Sequence, residues 1–221
     1  MKLASTLFNE VLFFEEGFVN SIIIENQKCF YNFLKDIQAQ IEGNEGCTVL
    51  SKGNIPVSFA KNAEVIDSFL SFDLNKKTLV NKIINQLEKN SLESDMFYKG
   101  GKLLGEIENY VDDLAAMFPF RLEYEKLNII SLLKAIGINV ADDADSDIER
   151  IINYIELVKE LEGDKLFIFV NMRSYFSDED MIMFCKDAIL HKDKILLVEG
   201  TDRKRLPTEK RLLIDEDLCE I

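Results

Sequence analysis

Tryptophan is absent, histidine occurs once, and the four cysteines stand far apart. With His191 alone and in the polar stretch HKDK, the chain reads as having an exposed loop histidine, and neither a histidine-based metal site nor a Ser-His-Asp triad is supported. Cys29, Cys47, Cys185 and Cys219 form no C-x-x-C pair, so they read as reduced thiols and not as a zinc site or a disulfide framework. No apolar run approaches the roughly 20 residues that a membrane-spanning helix needs. Glu10, Glu15 and Glu16 fall where a secretory leader would be apolar, so the expected location is the cytoplasm, with no membrane partner. Basic charge is also scarce: 26 Lys and Arg against 40 Asp and Glu give a formal charge of −14 over 221 residues. That total argues at first against nucleic acid, whose binders carry a basic face.

Two features that are present qualify these exclusions. Hydrophobic residues make up 47% of the chain, enough to bury a sizeable core. Charge is unevenly spread: residues 51–102 hold eight lysines and six acids, so that stretch is net +2 and the remainder −16. Screening acts over about 8 Å at physiological salt, so local clusters outweigh the total. The aromatics sit at apolar spacing, as with Phe30, Phe33, Phe167 and Phe169, and read as core packers and not as base-stacking platforms.

The pattern divides the chain into an α/β core, residues 1–73 and 164–221, and a helical extension, residues 74–163. GFVNSIIIENQ reads as a buried strand, QKCFYNFLKDIQAQIEG as an amphipathic helix, and CTVL and PVSFA as short β-like pieces. The extension reads as almost wholly helical. In KKTLVNKIINQLEKN, Leu79, Ile83 and Leu87 share one face, and Gly100-Gly101 marks a turn or break. GEIENYVDDLAAMF, LNIISLLKAIG and DIERIINYIELVKELEG follow as helices, the last two stopped near Gly137 and Gly163. KLFIFVN then reads as a covered central strand. SDEDMIMFCKDAILH reads as a helix opened by Ser177 with Asp180 as an acidic capping box, and KILLVEG and RLLIDEDL as further strands. Strand, helix, strand is a βαβ unit, expected to be parallel.

A buried strand followed by a helix is where a P-loop enzyme carries its phosphate-binding loop. That loop needs glycines for close backbone approach, a lysine for charge, and Ser or Thr for magnesium. Here the turn is Glu25-Asn26-Gln27-Lys28, without glycine or a Lys-Ser/Thr pair, and Glu25 would repel phosphate. KLFIFVN ends in Asn171 where a magnesium-holding acid would be expected. A competent ATPase site is not supported. The scaffold is either a nucleotide-binding core that has lost its chemistry or another doubly wound domain, and fold alone does not choose between them.

YEKLNIISLLKAIGINV, KLFIFVN, the helix opening SDED, KILLVEG and the closing LLIDEDLCEI, with SFDLN at residues 71–75, resemble the type II-A CRISPR-associated adaptation protein family. These small accessory proteins accompany two integrase subunits and an RNA-guided endonuclease. The resemblance implies a degenerate P-loop-ATPase-like core with a helical insertion, no enzymatic activity, and a homotetrameric ring whose basic inner surface takes double-stranded DNA by its ends. It also implies calcium ions held by acidic side chains. Acids flanking a tyrosine in the family correspond to Glu123 and Glu125 around Tyr124, with Asp112 and Asp113 on the preceding helix as further ligands; Lys126 stands where the family tends to have another acid. A cation wanting six to eight oxygens suits such donors, although a solvated acidic face is the plain alternative. Lys52, Lys61, Lys76, Lys77, Lys99 and Lys102 are the DNA candidates by region, since ammonium groups displace counterions from phosphates without reading sequence. For any one of them the plain alternative is a solvated surface lysine. Arg203-Lys204-Arg205 is a second basic cluster, with no clear match in the family.

Asp143, Asp145 and Asp147 imitate the opening of an EF-hand loop, but Ile148 and Tyr154 occupy its glycine and glutamate positions, so the segment reads as a helix cap. Two other function classes stay open: a nucleotide-binding or nucleotide-hydrolysing regulator, and a protein-interaction scaffold.

Overall fold

The computed structural model describes residues 1–70 and 72–221; Ser71, the first residue of SFDLN, lies outside the described residues. In chain order the strands are β1 (Lys2–Ser5), β2 (Leu12–Phe13), β3 (Val19–Ile24), β4 (Thr48–Lys52), β5 (Ile55–Val57), β6 (Ala63–Ile66), β7 (Leu166–Val170), β8 (Lys194–Glu199) and β9 (Glu209–Ile214). The helices are α1 (Gln27–Ile41), α2 (Phe59–Asn62), α3 (Lys77–Ser91), α4 (Ser94–Ala116), α5 (Ile129–Ile136), α6 (Asp147–Glu162) and α7 (Asp178–Leu190). None of these helices is long and apolar enough to cross a membrane.

The chain forms two compact units, residues 1–72 with 144–221, and residues 73–143. The larger unit is mixed α/β. Its main sheet has the order β6-β7-β8-β3-β9 with every neighbour parallel. All six residues of β3 are buried, which explains why it reads as an unbroken apolar run and not an alternating one. Side chains alternate across the sheet. One face carries Ile22, Ile24, Ile168, Leu196 and Val198, packed with Cys29, Phe33 and Ile37 of α1. The same cluster takes in Leu3, Leu12 and Leu50 of a second sheet, ordered β2-β1-β4-β5 and antiparallel. On the opposite face Phe169 meets Phe184 of α7 edge-on, with ring centres 5.3 Å apart.

Several sequence expectations are modified. The helix α6, read as part of the extension, lies in the larger unit: Ile148, Ile151, Tyr154, Ile155 and Val158 are buried, and the Tyr154 hydroxyl donates to Glu64. PVSFA splits into the end of β5 and the single helical turn α2, whose Phe59 is buried. Gly100-Gly101 does not break a helix; α4 runs through it, because flanking helix formers outweigh a cost of about 1 kcal/mol per glycine. The sequence 1–18 conceals the β1–β2 pairing, since strands of four and two residues show no usable period.

In the smaller unit, α3 buries Leu79 and Ile84, while Ile83 is half-buried and Leu87 exposed. No residue of α4 or α5 is fully buried. Asn75 ties the two ends of the unit together, its amide donating to the Val140 carbonyl (3.1 Å) and accepting from the Val140 N–H (2.7 Å). Gly137 ends α5 in the left-handed conformation at φ 76°. Residues 117–128 are not helical, contrary to the almost wholly helical reading of the extension.

Candidate functional site

The turn between β3 and α1 is closed by the protein itself. Asn26 caps α1, its side-chain oxygen accepting from the Cys29 N–H at 3.0 Å, while its amide donates to the Glu216 carbonyl at 2.9 Å. The Glu25 N–H is bonded to the Ile214 carbonyl. An anion at this helix start would have to displace the Asn26 cap and sit beside Glu25. At the end of β7, Asn171 adopts the left-handed conformation (φ 53°), its N–H donating to the Val198 carbonyl and its side-chain oxygen accepting from Gly200 N–H at 2.9 Å. The two strand ends where a nucleotide and its metal would sit are thus laced to neighbouring backbone.

Behind them lies a charged cluster that sequence reading missed. Arg173, Glu199 and Glu209 are all buried. The Arg173 N–H donates to Glu199 Oε1 at 3.1 Å, and its guanidinium faces Glu209 at 4.0 Å, Asp178 at 3.1 Å and the Lys204 carbonyl at 2.7 Å. Burial pushes the Glu199 carboxyl up to about 7, against the opposing pull of Arg173 and Arg203 and with Glu209 adding to the rise. The Arg173 Nε, Glu209 Oε1 and Ser21 Oγ atoms are buried with no hydrogen-bond partner among the described residues. A glutamate closing the apolar run KILLVE was the one sequence signal for this cluster.

The candidate lysines divide between the units. Lys52 ends β4 and Lys61 lies in the single turn of α2, both exposed, in the larger unit. In the smaller unit Lys76 and Lys77 open α3, where the helix dipole adds positive potential. Lys99 and Lys102, three residues apart on α4, share a side of that helix. Lys99 borders an apolar groove of about 450 Å³ with Leu87, Met96, Leu103, Ile129 and Leu133, and Lys102 lies 3.8 Å from Glu106. The six therefore form two local pairs on the smaller unit and two separate positions on the larger.

Asp112 and Asp113 lie on α4, and Glu123 and Glu125 on the non-helical segment that follows. Tyr124 binds that segment to α4, its hydroxyl donating to Asp112 Oδ1 at 2.6 Å, and this bond pushes its phenol up to about 12. Leu127 N–H donates to Glu108, and Glu123 lies 3.6 Å from Arg121. These carboxylates offer the hard oxygen donors that calcium takes. They do not form a ready-made site: among the described residues, the one group of three or more acids, histidines or cysteines with ligand atoms close enough to share an ion is Asp187, His191 and Asp193. There the Lys159 ammonium already pairs with Asp193, and His191 Nδ1 lies 3.1 Å from Asp187 and Nε2 3.7 Å from Glu156. It is an ion-pair network with its cation in place. In the EF-hand-like stretch, Ser146 is the cap of α6, accepting from Glu149 N–H.

A family model described as CRISPR-associated protein (Cas_Csn2) matches residues 40–218. A CRISPR-associated protein Csn2 of Streptococcus agalactiae is 24% identical over 164 residues, 69% of this chain and 68% of that protein. A second Csn2, from Enterococcus faecalis, is 23% identical over 190 residues, 80% of this chain and 84% of the relative. The crystal structure of Stu0660 of Streptococcus thermophilus superposes with a TM-score of 0.55 at 16% identity, covering 92% of this chain and 70% of that one.

Proposed function

The chain belongs to the Csn2 family of CRISPR-associated adaptation proteins, and on that premise we propose that it is a non-catalytic, sequence-independent binder of double-stranded DNA ends in the acquisition of new spacers. It acts in the cytoplasm as a homotetrameric ring, alongside the integrase subunits and the RNA-guided endonuclease. The observation that carries the reading is a contrast: the strand ends where nucleotide chemistry would occur are self-bonded, while lysines stand exposed in local pairs. The main sheet supports a P-loop-like origin. With its strands numbered along the chain, the order is 5-1-4-3-2, and the strand before the closed turn sits inside the sheet. An ATPase scaffold whose loop is capped by Asn26 keeps this architecture without its chemistry.

Lys76, Lys77, Lys99, Lys102, Lys52 and Lys61 supply the phosphate contacts, and ring symmetry repeats each of them. An acidic chain and a basic channel are then compatible. Large apolar side chains exposed on the smaller unit, among them Met96, Phe97, Tyr98, Leu114, Phe118 and Phe120, support assembly, because monomers rarely leave such surface uncovered. Calcium belongs to the proposal through Asp112, Asp113, Glu123 and Glu125, which would have to be drawn together around it.

The test is binding of linear duplex against covalently closed circles, with calcium or with a chelator, beside solution mass. Linear DNA alone should bind, as a tetramer, with loss on chelation and with Lys99→Glu and Lys102→Glu. Equal binding of closed circles overturns the end-binding reading. Tight binding of ATP with magnesium would favour the nucleotide-dependent regulator instead. A function indifferent to lysine reversal would favour the protein-interaction scaffold.

A further inference from the structure

We infer that the loop 200–208, with Arg203, Lys204 and Arg205 at its tip, is a preorganised second contact for the phosphodiester backbone of duplex DNA. The inference rests on the DNA-binding reading above and adds a region that the six lysines do not include.

The loop joins β8 to β9, and all three basic residues are exposed. Three adjacent like charges on a chain of net charge −14 would ordinarily be offset by neighbouring acids. Two of the acids that are near are taken by other arginines: Asp202 pairs with Arg211, and Asp178 with Arg173. The Arg203 guanidinium bonds the neutral Ser174 hydroxyl (3.3 Å) and exerts a pull on the buried Glu199 carboxyl, and Arg205 bonds the Glu209 carbonyl (3.1 Å). Among the described residues the Lys204 ammonium has no hydrogen bond or ion pair; the bond to Lys204 is made at its backbone carbonyl. Among the described residues, then, none of the three cations forms an ion pair with an acid, and Arg203 feels the Glu199 carboxyl only from across the buried cluster.

The backbone beneath it is held rigidly. The buried Arg173 donates to the Lys204 carbonyl at 2.7 Å, Arg211 donates to the Arg203 carbonyl at 3.0 Å, and the buried Glu209 accepts from Leu206 N–H at 2.8 Å. Leu206 anchors the far side in the core. Burying Arg173 carries a desolvation penalty, and two of its guanidinium contacts go to the Lys204 carbonyl and to Asp178, leaving Asp178 unavailable to the tip. A loop fixed in this way loses little conformational freedom when it binds, so its cations act at low entropic cost. The bonds that spend Arg173 and Arg211 on carbonyls leave the neighbouring cationic side chains directed to solvent, where polyanion contact needs no sequence information.

The test uses the full chain and a short linear duplex, with affinity measured across salt concentrations. One phosphate contact contributes about 0.9 to the salt slope, or about eightfold at 0.1 M salt. Lys204→Ala should lower the slope by about 1, Lys204→Arg should restore it, and glutamine at 203, 204 and 205 together should lower it by about 3. A urea midpoint unchanged in Lys204→Ala separates lost contact from lost fold. If the native protein binds duplex and Lys204→Ala matches it in affinity and slope, the loop assignment is overturned and the DNA reading stands. If the native protein binds no duplex, both are overturned. If DNA binding is unchanged but binding of polyglutamate is lost, the loop serves an acidic protein partner, which also overturns the assignment.

Discussion

Replacing Glu199 with glutamine isolates the energy of a buried carboxyl. Glu199 is 2% exposed at the end of β8, and burial raises its carboxyl from 4.5 to about 7. The groups facing it are Arg173, through its N–H, together with Arg203 and the like-charged Glu209. Below pH 4.5 both folded and unfolded chains hold the proton, and the contribution to stability is complete. As pH rises from 4.5 to about 7 the unfolded chain loses its proton first, so stability falls; above about 7 it levels off. The difference between those two values corresponds to about 3 kcal/mol. Glutamine keeps an oxygen for the Arg173 N–H but never ionises, so Glu199→Gln should lack this fall. Urea midpoints of the two proteins, compared from pH 4.5 to pH 8, cancel every other titrating group. At an m-value of about 3 kcal/mol/M the variant should gain roughly 1 M relative to the native chain. A gap independent of pH would show that Glu199 is not held neutral by burial and would refute the argument.

Three further outcomes follow from the same bonds. Arg173→Ala leaves Glu199 and Glu209 without their cation and should cost about 3–5 kcal/mol in urea unfolding, with faster amide exchange across residues 200–208. Asn26→Ala removes the cap of α1 and the bond to Glu216 and should cost about 1 kcal/mol by thermal denaturation; Asn26→Asp, which keeps the acceptor, should recover most of it. At Gly137 an added Cβ meets nothing within 4 Å, so Gly137→Ala should cost only the left-handed backbone, about 1–2 kcal/mol, read as earlier melting of α5 by hydrogen exchange.

Long periodic or continuous apolar segments were legible in the sequence. The strands β3, β7 and β8 and the helices α1, α6 and α7 lie where the pattern places them, and the Ser177–Asp180 capping box forms as its spacing suggests. Boundaries set by tertiary packing were not legible. DIERIINYIELVKELE reads as helix in any context, and only its buried face against the larger unit assigns α6 there. The exposure of Leu87, expected on a buried face, likewise depends on how few elements cover α3 and α4. At the candidate sites, the failed phosphate loop was visible residue by residue, whereas Asn26 binding the far C-terminal segment was not, since its partner lies 190 residues away.

By itself the sequence determined the chemistry available to this protein: one histidine, no glycine-rich phosphate loop, a family resemblance, and a lysine-bearing stretch in an acidic chain. These are properties of residue identity and short-range spacing, which survive any folding. Tertiary structure alone decided which charges neutralise one another. Arg173, Glu199 and Glu209 meet in the core, and Asp178 and Asp202 are claimed by Arg173 and Arg211, leaving Arg203, Lys204 and Arg205 without an ion pair among the described residues. Coulomb energy depends on distance through space, and no spacing along the chain specifies that distance.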